Sequence, residues 1–191
     1  MKNSLKKYKV TYNAPVTITF CVVALIALVL NYITHGSTNR LLFSVHRAGS
    51  PLYSPLTWLR FVTHVFGHAD IGHYVGNITL ILVLGPGLEE RLGSGRLLTT
   101  MFVTALLAGI AEYFFLPSYL LLGASGIVFM MIILSSAGNA KKGEIPLTLI
   151  LVFLFYVGGE IVDGLFVSDN VSQLTHILGG VCGAVTAVKK A

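Results

Sequence analysis

Gly123-Ala124-Ser125-Gly126-Ile127-Val128-Phe129-Met130-Met131-Ile132-Ile133-Leu134 joins four small residues to an unbroken apolar run. A second apolar-rich run, residues 116–122, leads into it. A helix that is apolar on every side belongs in a protein core or a membrane. A serine between glycines at the mouth of such a helix is an unusual group to keep in hydrocarbon, where polar atoms cost free energy unless satisfied. Ser125 is therefore a candidate nucleophile. Glycine and serine are also ordinary packing material between membrane helices, so the tetrapeptide needs support from the rest of the chain.

The composition places that helix in a bilayer. Of 191 residues 54% are hydrophobic and 11% charged, and the mean hydropathy is +0.80, well outside the range of soluble domains. The chain reads as one all-α integral membrane domain over residues 1–191, with no internal repeat, no low-complexity tract and no stretch long enough for a separate soluble domain. A net charge of +5 suggests nucleic acid in a soluble protein, but the basic residues border the apolar segments, as membrane orientation requires, and nucleic acid is excluded as a partner. Cys21 and Cys182 both lie in apolar stretches and behave as small hydrophobes, implying neither a disulfide framework nor a metal site.

Outward from Ser125, the apolar segments run over residues 15–32, 73–88, 97–116, 125–137, 145–162 and 171–188. The first follows a basic tail, residues 1–14, and resembles a signal peptide in layout, but its core is long and no small-x-small cleavage site follows, so it reads as the first span. Residues 33–71 mix Arg40, Arg47, Arg60, His46, His64 and His68 with Tyr53, Trp58, Phe61 and Phe66, and Pro51 and Pro55 interrupt any long helix. Such an amphipathic, aromatic segment belongs at the membrane interface. Several later segments are shorter than a full crossing, which predicts a recess where water reaches membrane depth.

Six spans with a cytoplasmic N-terminus put ten of the 13 Lys and Arg residues inside, leaving Arg40, Arg47 and Arg60 outside. That distribution obeys the positive-inside rule and the inverted orientation violates it. Both termini are then cytoplasmic, and Ser125 opens its helix near the outer face.

Two further clusters fall at that depth. His73 and Asn77 stand four apart and share a helix face; they read either as a polar pair bonding a neighbouring helix or as donors aimed at an oxyanion. In the last span His176, Gly179 and Gly183 lie at i, i+3 and i+7, so an imidazole stands above a glycine groove that admits another helix backbone. A hydroxyl nucleophile needs a base within hydrogen-bond reach and prearranged donors for its tetrahedral intermediate. His176 suits the first role, and the N–H groups at the mouth of the Ser125 helix favour negative charge. Gly123 is expected to permit the turn into that helix, and Gly126 the close approach of the helix carrying His176.

Gly123-Ala124-Ser125-Gly126, His73-x-x-x-Asn77, Gly87-Leu88-Glu89-Glu90-Arg91-Leu92-Gly93 and His176-x-x-Gly179-x-x-x-Gly183 together resemble the motif set of the rhomboid intramembrane serine proteases. The resemblance runs from about Trp58 to Gly183. It implies a six-helix bundle with an interfacial first loop, a Ser125–His176 dyad, and an oxyanion hole of His73, Asn77 and the Ser125 amide. It also implies transmembrane proteins as substrates, cut near their outer ends, with no metal and no cofactor. The chain departs from the family pattern at three places. Thr175 precedes the histidine where Ala is common, Phe129 stands where many bacterial members have Tyr, and Trp58-Leu59-Arg60 replaces an adjacent Trp-Arg. Phe129 retains a ring to stack on His176 and loses a hydroxyl.

Other polar residues fit bracing better than chemistry. Glu112, Glu160 and Asp163 are helix-end carboxylates, expected to be solvated or bonded to a neighbour. Glu89, Glu90 and Arg91 sit at a cytoplasmic turn, and His64 and His68 lack the carboxylate or cysteine that would make them metal ligands with His73. The fifth helix and residues 166–171 are expected to form a movable gate. A rhomboid-like protein that binds transmembrane clients without cutting them is the competing function, opposed by the presence of Ser125 and His176. The compact chain suggests a prokaryotic inner membrane.

Overall fold

The computed structural model describes residues 10–48, 50–116, 120–137, 145–152, 154 and 173–188. These residues form an α-helical bundle, with no β-strand among them beyond one isolated bridge. The helices are α1 (Pro15–Ile33), α2 (Ser37–Leu42), α3 (Pro55–Thr63), α4 (Ile71–Leu92), α5 (Ser94–Phe115), α6 (Ser125–Ala137), α7 (Leu147–Val152) and α8 (Gln173–Val188), with a 3-10 turn at His64–Phe66 after α3. Helices α1, α4 and α5 are long and apolar enough to cross a membrane; α6 and α8 are shorter apolar helices. Of the fifth segment, α7 is described, while Glu160, Asp163 and the expected gate at 166–171 lie outside the described residues.

Helix α6 is the axis of the bundle. Every residue from Gly126 to Leu134 is buried, as a sequence apolar on all sides demands. Its 13 residues give a length of about 20 Å against a hydrocarbon core of about 30 Å.

The second and third spans are longer than the sequence suggests. Both α4 and α5 have 22 residues, where 73–88 and 97–116 were expected. Asp70 extends α4 at its start by accepting the His73 N–H at 2.8 Å, an N-cap. At its other end α4 runs through Pro86 to Leu92, and Gly93, at φ +82°, turns the chain directly into α5. Proline is tolerated inside membrane helices because neighbouring groups satisfy the freed backbone.

Close contacts set the spacing between helices. A Cβ on Gly85 of α4 would fall 2.7 Å from Thr17 Oγ1 of α1, and one on Gly109 of α5 would fall 2.7 Å from the Phe61 Cα of α3. The start of α1, which has no side-chain cap of its own, is held by Glu89 of α4. That carboxylate accepts the Val16 N–H at 2.9 Å, the Thr17 N–H at 3.0 Å, the Thr17 hydroxyl at 2.9 Å and the Ser94 hydroxyl at 2.7 Å. Its charge thus sits at the N-terminal ends of both α1 and α5, where helix dipoles favour an anion. At the opposite helix ends, Arg91 donates to the Leu134 carbonyl of α6 and Arg96 to the Thr186 carbonyl of α8, the complementary arrangement.

The segment between α1 and α4 carries only short helices, with Pro55 in the first turn of α3. It is tied down by buried Arg60, whose guanidinium reaches the Leu41 carbonyl and the Ser50 hydroxyl, both at 2.8 Å. Trp58 donates to the Leu52 carbonyl at 2.8 Å. The spacing Trp58-Leu59-Arg60 thus leaves both side chains anchoring the loop.

Candidate active site

Ser125 is the first residue of α6, and the backbone before it is fixed from three sides. Val45 and Leu121 exchange both backbone hydrogen bonds, at 2.9 and 3.0 Å, in an antiparallel bridge. The Gly123 N–H donates to the His64 carbonyl at 3.0 Å. Gly123 itself has φ +123°, a conformation that glycine adopts readily. A Cβ there would lie 2.7 Å from the His73 ring atoms Cε1 and Nε2 and 3.9 Å from Asn77 Nδ2. The His73 ring therefore lies directly on the glycine two residues before Ser125, with Asn77 beside it.

Asn77 is buried, and its Nδ2 has no hydrogen-bond partner among the described residues. A buried amide donor left in that state costs free energy. Such a group beside a serine-bearing turn is the arrangement expected of a donor reserved for a transient anion. His73 is fixed by the Asp70 cap on its backbone N–H and by an edge-to-face contact with the His68 ring, 5.1 Å between centroids.

His176 reaches the same turn from α8. Helices α6 and α8 touch backbone to backbone, since a Cβ on Gly179 would overlap the Gly126 carbonyl, and one on Gly183 the Met130 carbonyl. Gly126 in turn faces Thr175, whose Cγ2 would lie 2.9 Å from a Cβ at that position. The His176 ring is buried and stacks on Phe129, with centroids 4.3 Å apart and planes 9° from parallel. Phe129 follows Ser125 by four residues, so both project from one face of α6. The imidazole consequently lies over the first turn of the helix that Ser125 begins. The His73 ring rests on Gly123, just before α6, and the His176 ring on Phe129, in α6, so the groups from α4 and α8 converge on the start of α6.

His64 and His68 brace this assembly. His64 is buried, with Nε2 3.1 Å from the Ala105 carbonyl; that bond needs the Nε2–H tautomer, because a carbonyl only accepts. Burial pushes the His64 pKa down to about 4. His68 is likewise pushed to about 4, by burial and by neighbouring His73, and its carbonyl accepts from Asn39 at 2.9 Å. No group of three His, Cys, Asp or Glu side chains able to hold a metal occurs among the described residues. Glu112 is 1% exposed and so is not solvated.

Sequence reasoning missed the clamps on the serine turn. The Val45–Leu121 bridge and the Gly123–His64 bond are made by backbone atoms, which leave no mark on residue type. Asp70-x-x-His73 was readable as a cap before an apolar helix.

Residues 55–190 match the family described as Rhomboid domain. Among curated relatives, Rhomboid-related protein 1 of Caenorhabditis elegans is 31% identical over 133 residues, covering 65% of this chain and 37% of its own length. Rhomboid-like protease 3 of Toxoplasma gondii is 32% identical over 117 residues, 61% of this chain and 44% of that protein. Rhomboid protease GlpG of Salmonella choleraesuis (strain SC-B67) is 36% identical over 72 residues, 38% of this chain and 26% of that protein. The chain thus spans less than half the length of each of these three relatives.

Proposed function

This chain belongs to the rhomboid family of membrane proteins, and on that premise we propose that it is a serine endopeptidase that hydrolyses peptide bonds in or near the transmembrane segments of other proteins. The observation that supports this reading best is the stacking of His176 on Phe129, one turn along α6 from Ser125. In the proposed cycle the Ser125 hydroxyl attacks the scissile carbonyl while His176 takes its proton. The developing oxyanion accepts hydrogen bonds from the Ser125 N–H, His73 and Asn77 Nδ2. The imidazolium then protonates the leaving amine, and water hydrolyses the acyl-enzyme.

The same reading has six spans, with residues 1–14 as a cytoplasmic tail, residues 33–71 as an outer interfacial loop and the C-terminus cytoplasmic, in a prokaryotic inner membrane. The shortness of α6 then puts Ser125 below the outer surface, in a recess that water fills. It takes residues 1–191 as one transmembrane domain and needs neither metal nor cofactor.

The test incubates the purified protein in detergent with a fluorophosphonate probe and a transmembrane reporter substrate, beside Ser125→Ala and His176→Ala. Wild type is expected to label and to cleave, and both variants to lose cleavage. Continued cleavage by Ser125→Ala refutes the assignment. A folded wild type that binds the reporter but neither labels nor cuts establishes client binding instead.

A further inference from the structure

A groove of about 370 Å³ runs between α5 and α8, away from His176, along the half of α8 that ends in Val188. Its walls are graded. Arg96, Thr99, Thr100 and Thr186 line one end, with Val185 beside Thr186; Val103, Leu107, Val181 and Cys182 line the rest. The threonine hydroxyls are engaged by their own helices: Thr99 donates to the Gly95 carbonyl, Thr100 to Arg96 and Thr186 to Cys182. Polar recognition at that end therefore falls to the Arg96 guanidinium. One of its five donors holds the Thr186 carbonyl at 3.2 Å, and a planar fork of this kind suits a phosphate.

Length and charge identify the occupant. Arg96 and Leu107 are eleven positions apart on one helix, about 16 Å along its axis. That is close to half of a hydrocarbon core about 30 Å thick, so the groove covers one leaflet. Lys189 and Lys190 follow directly after α8 in the sequence, and basic residues bordering an apolar segment attract anionic headgroups. α7, the described part of the fifth segment, packs on α6.

We propose that this groove holds one anionic phospholipid of the leaflet on the Arg96 side, its phosphate on Arg96 and one acyl chain between α5 and α8. The proposal rests on the membrane setting of the helices and is independent of the protease reading.

Native mass spectrometry of the full chain, released from detergent after incubation with phosphatidylglycerol or phosphatidylcholine, tests it. Wild type and Ser125→Ala are both expected to retain one phosphatidylglycerol in preference to phosphatidylcholine. Arg96→Gln should weaken that retention at least about tenfold, a difference of about 1.4 kcal/mol. Val103→Trp, at a half-exposed position on the groove wall, fills the acyl path and leaves Arg96 in place. It should weaken retention similarly, and it serves as the test should Arg96→Gln fail to fold. Equal retention of the two lipids, or unchanged retention in a folded variant, overturns the proposal. So does displacement by glycerol 3-phosphate at the same concentration, which marks a free phosphate site, or a lipid-free dimer, which marks a protein interface.

Discussion

Replacing Gly179 by Ala adds one methyl group at the point where α8 meets α6. The new Cβ falls 2.9 Å from the Gly126 carbonyl carbon and overlaps its oxygen. Carbon contacts settle near 3.5–4.0 Å, so the helices must part by roughly 1 Å. Neither side can yield by rotating a side chain, because the obstacle is backbone. Overpacking of this kind costs about 1–3 kcal/mol in stability. The effect on turnover is expected to be larger than that on folding. His176 is three residues before Gly179 and Ser125 is next to Gly126, so the displacement acts directly on the spacing of the two proposed reacting groups. A misplacement near 1 Å costs on the order of 100-fold in rate. Gly180→Ala is the matched control, since its Cβ would lie 3.6 Å from Ile133 Cγ1, an ordinary contact, and Ala is favoured over Gly inside a helix by about 1 kcal/mol. Reporter cleavage and thermal unfolding in detergent, measured on both variants, should show Gly179→Ala folded but about 100-fold slower and Gly180→Ala close to wild type. Wild-type turnover in Gly179→Ala, or equal loss in both, refutes the argument.

Asn77→Ala should lower kcat by about 10²–10³ with KM little changed, as for loss of one oxyanion donor, while the melting temperature holds, because Nδ2 has no partner among the described residues to lose; turnover within threefold of wild type defeats that role. His64 gives a pH dependence. Its folded pKa of about 4 lies below the ordinary 6.5, so the unfolded chain takes up a proton first, and stability present above pH 6.5 is lost as the pH falls towards 4, by about 3 kcal/mol in full. Melting temperatures at pH 7.5 and 5 should therefore differ in wild type and differ less in His64→Gln; parallel profiles count against the buried neutral ring. Glu89→Ala leaves the first N–H groups of α1 without their acceptor and should lower stability by about 3 kcal/mol, a charged hydrogen-bond contribution. Glu89→Gln should lose less in the same unfolding assay, and equal loss excludes the capping account.

What the sequence made legible follows from local periodicity. Eight consecutive apolar residues after Gly126 sufficed to mark α6 as central, and the i, i+3, i+7 spacing of His176, Gly179 and Gly183 marked the face of α8 that meets it. The ends of α4 and α5 were not legible in the same way. The expected span ended at residue 88, yet α4 continues past Pro86 to Leu92, and Gly93 alone forms the turn into α5. Glu89 read as local bracing, whereas its acceptor role joins residues more than 70 positions apart. Such partners are fixed by the assembled bundle and leave no trace in neighbouring sequence.

The helices and the serine turn are positioned by different physics. Between membrane helices the surrounding lipid is as apolar as a leucine, so burial gives little drive for association, and the spacing is set by atoms that cannot approach further: Gly85 against Thr17, Gly109 against Phe61, Gly179 against Gly126. Contacts of that kind fix distance and leave sliding free. Hydrogen bonds act in the other direction, since they fix register. The backbone before Ser125 has both, with His73 pressed on Gly123 and the Gly123 N–H held by His64. His64 follows Phe61 by three residues, and its ring is tied to the Ala105 carbonyl one turn from Gly109. The packing of α3 on α5 is thereby carried through the His64 backbone to Gly123, so the segment between α1 and α4 helps to position the turn that leads into Ser125.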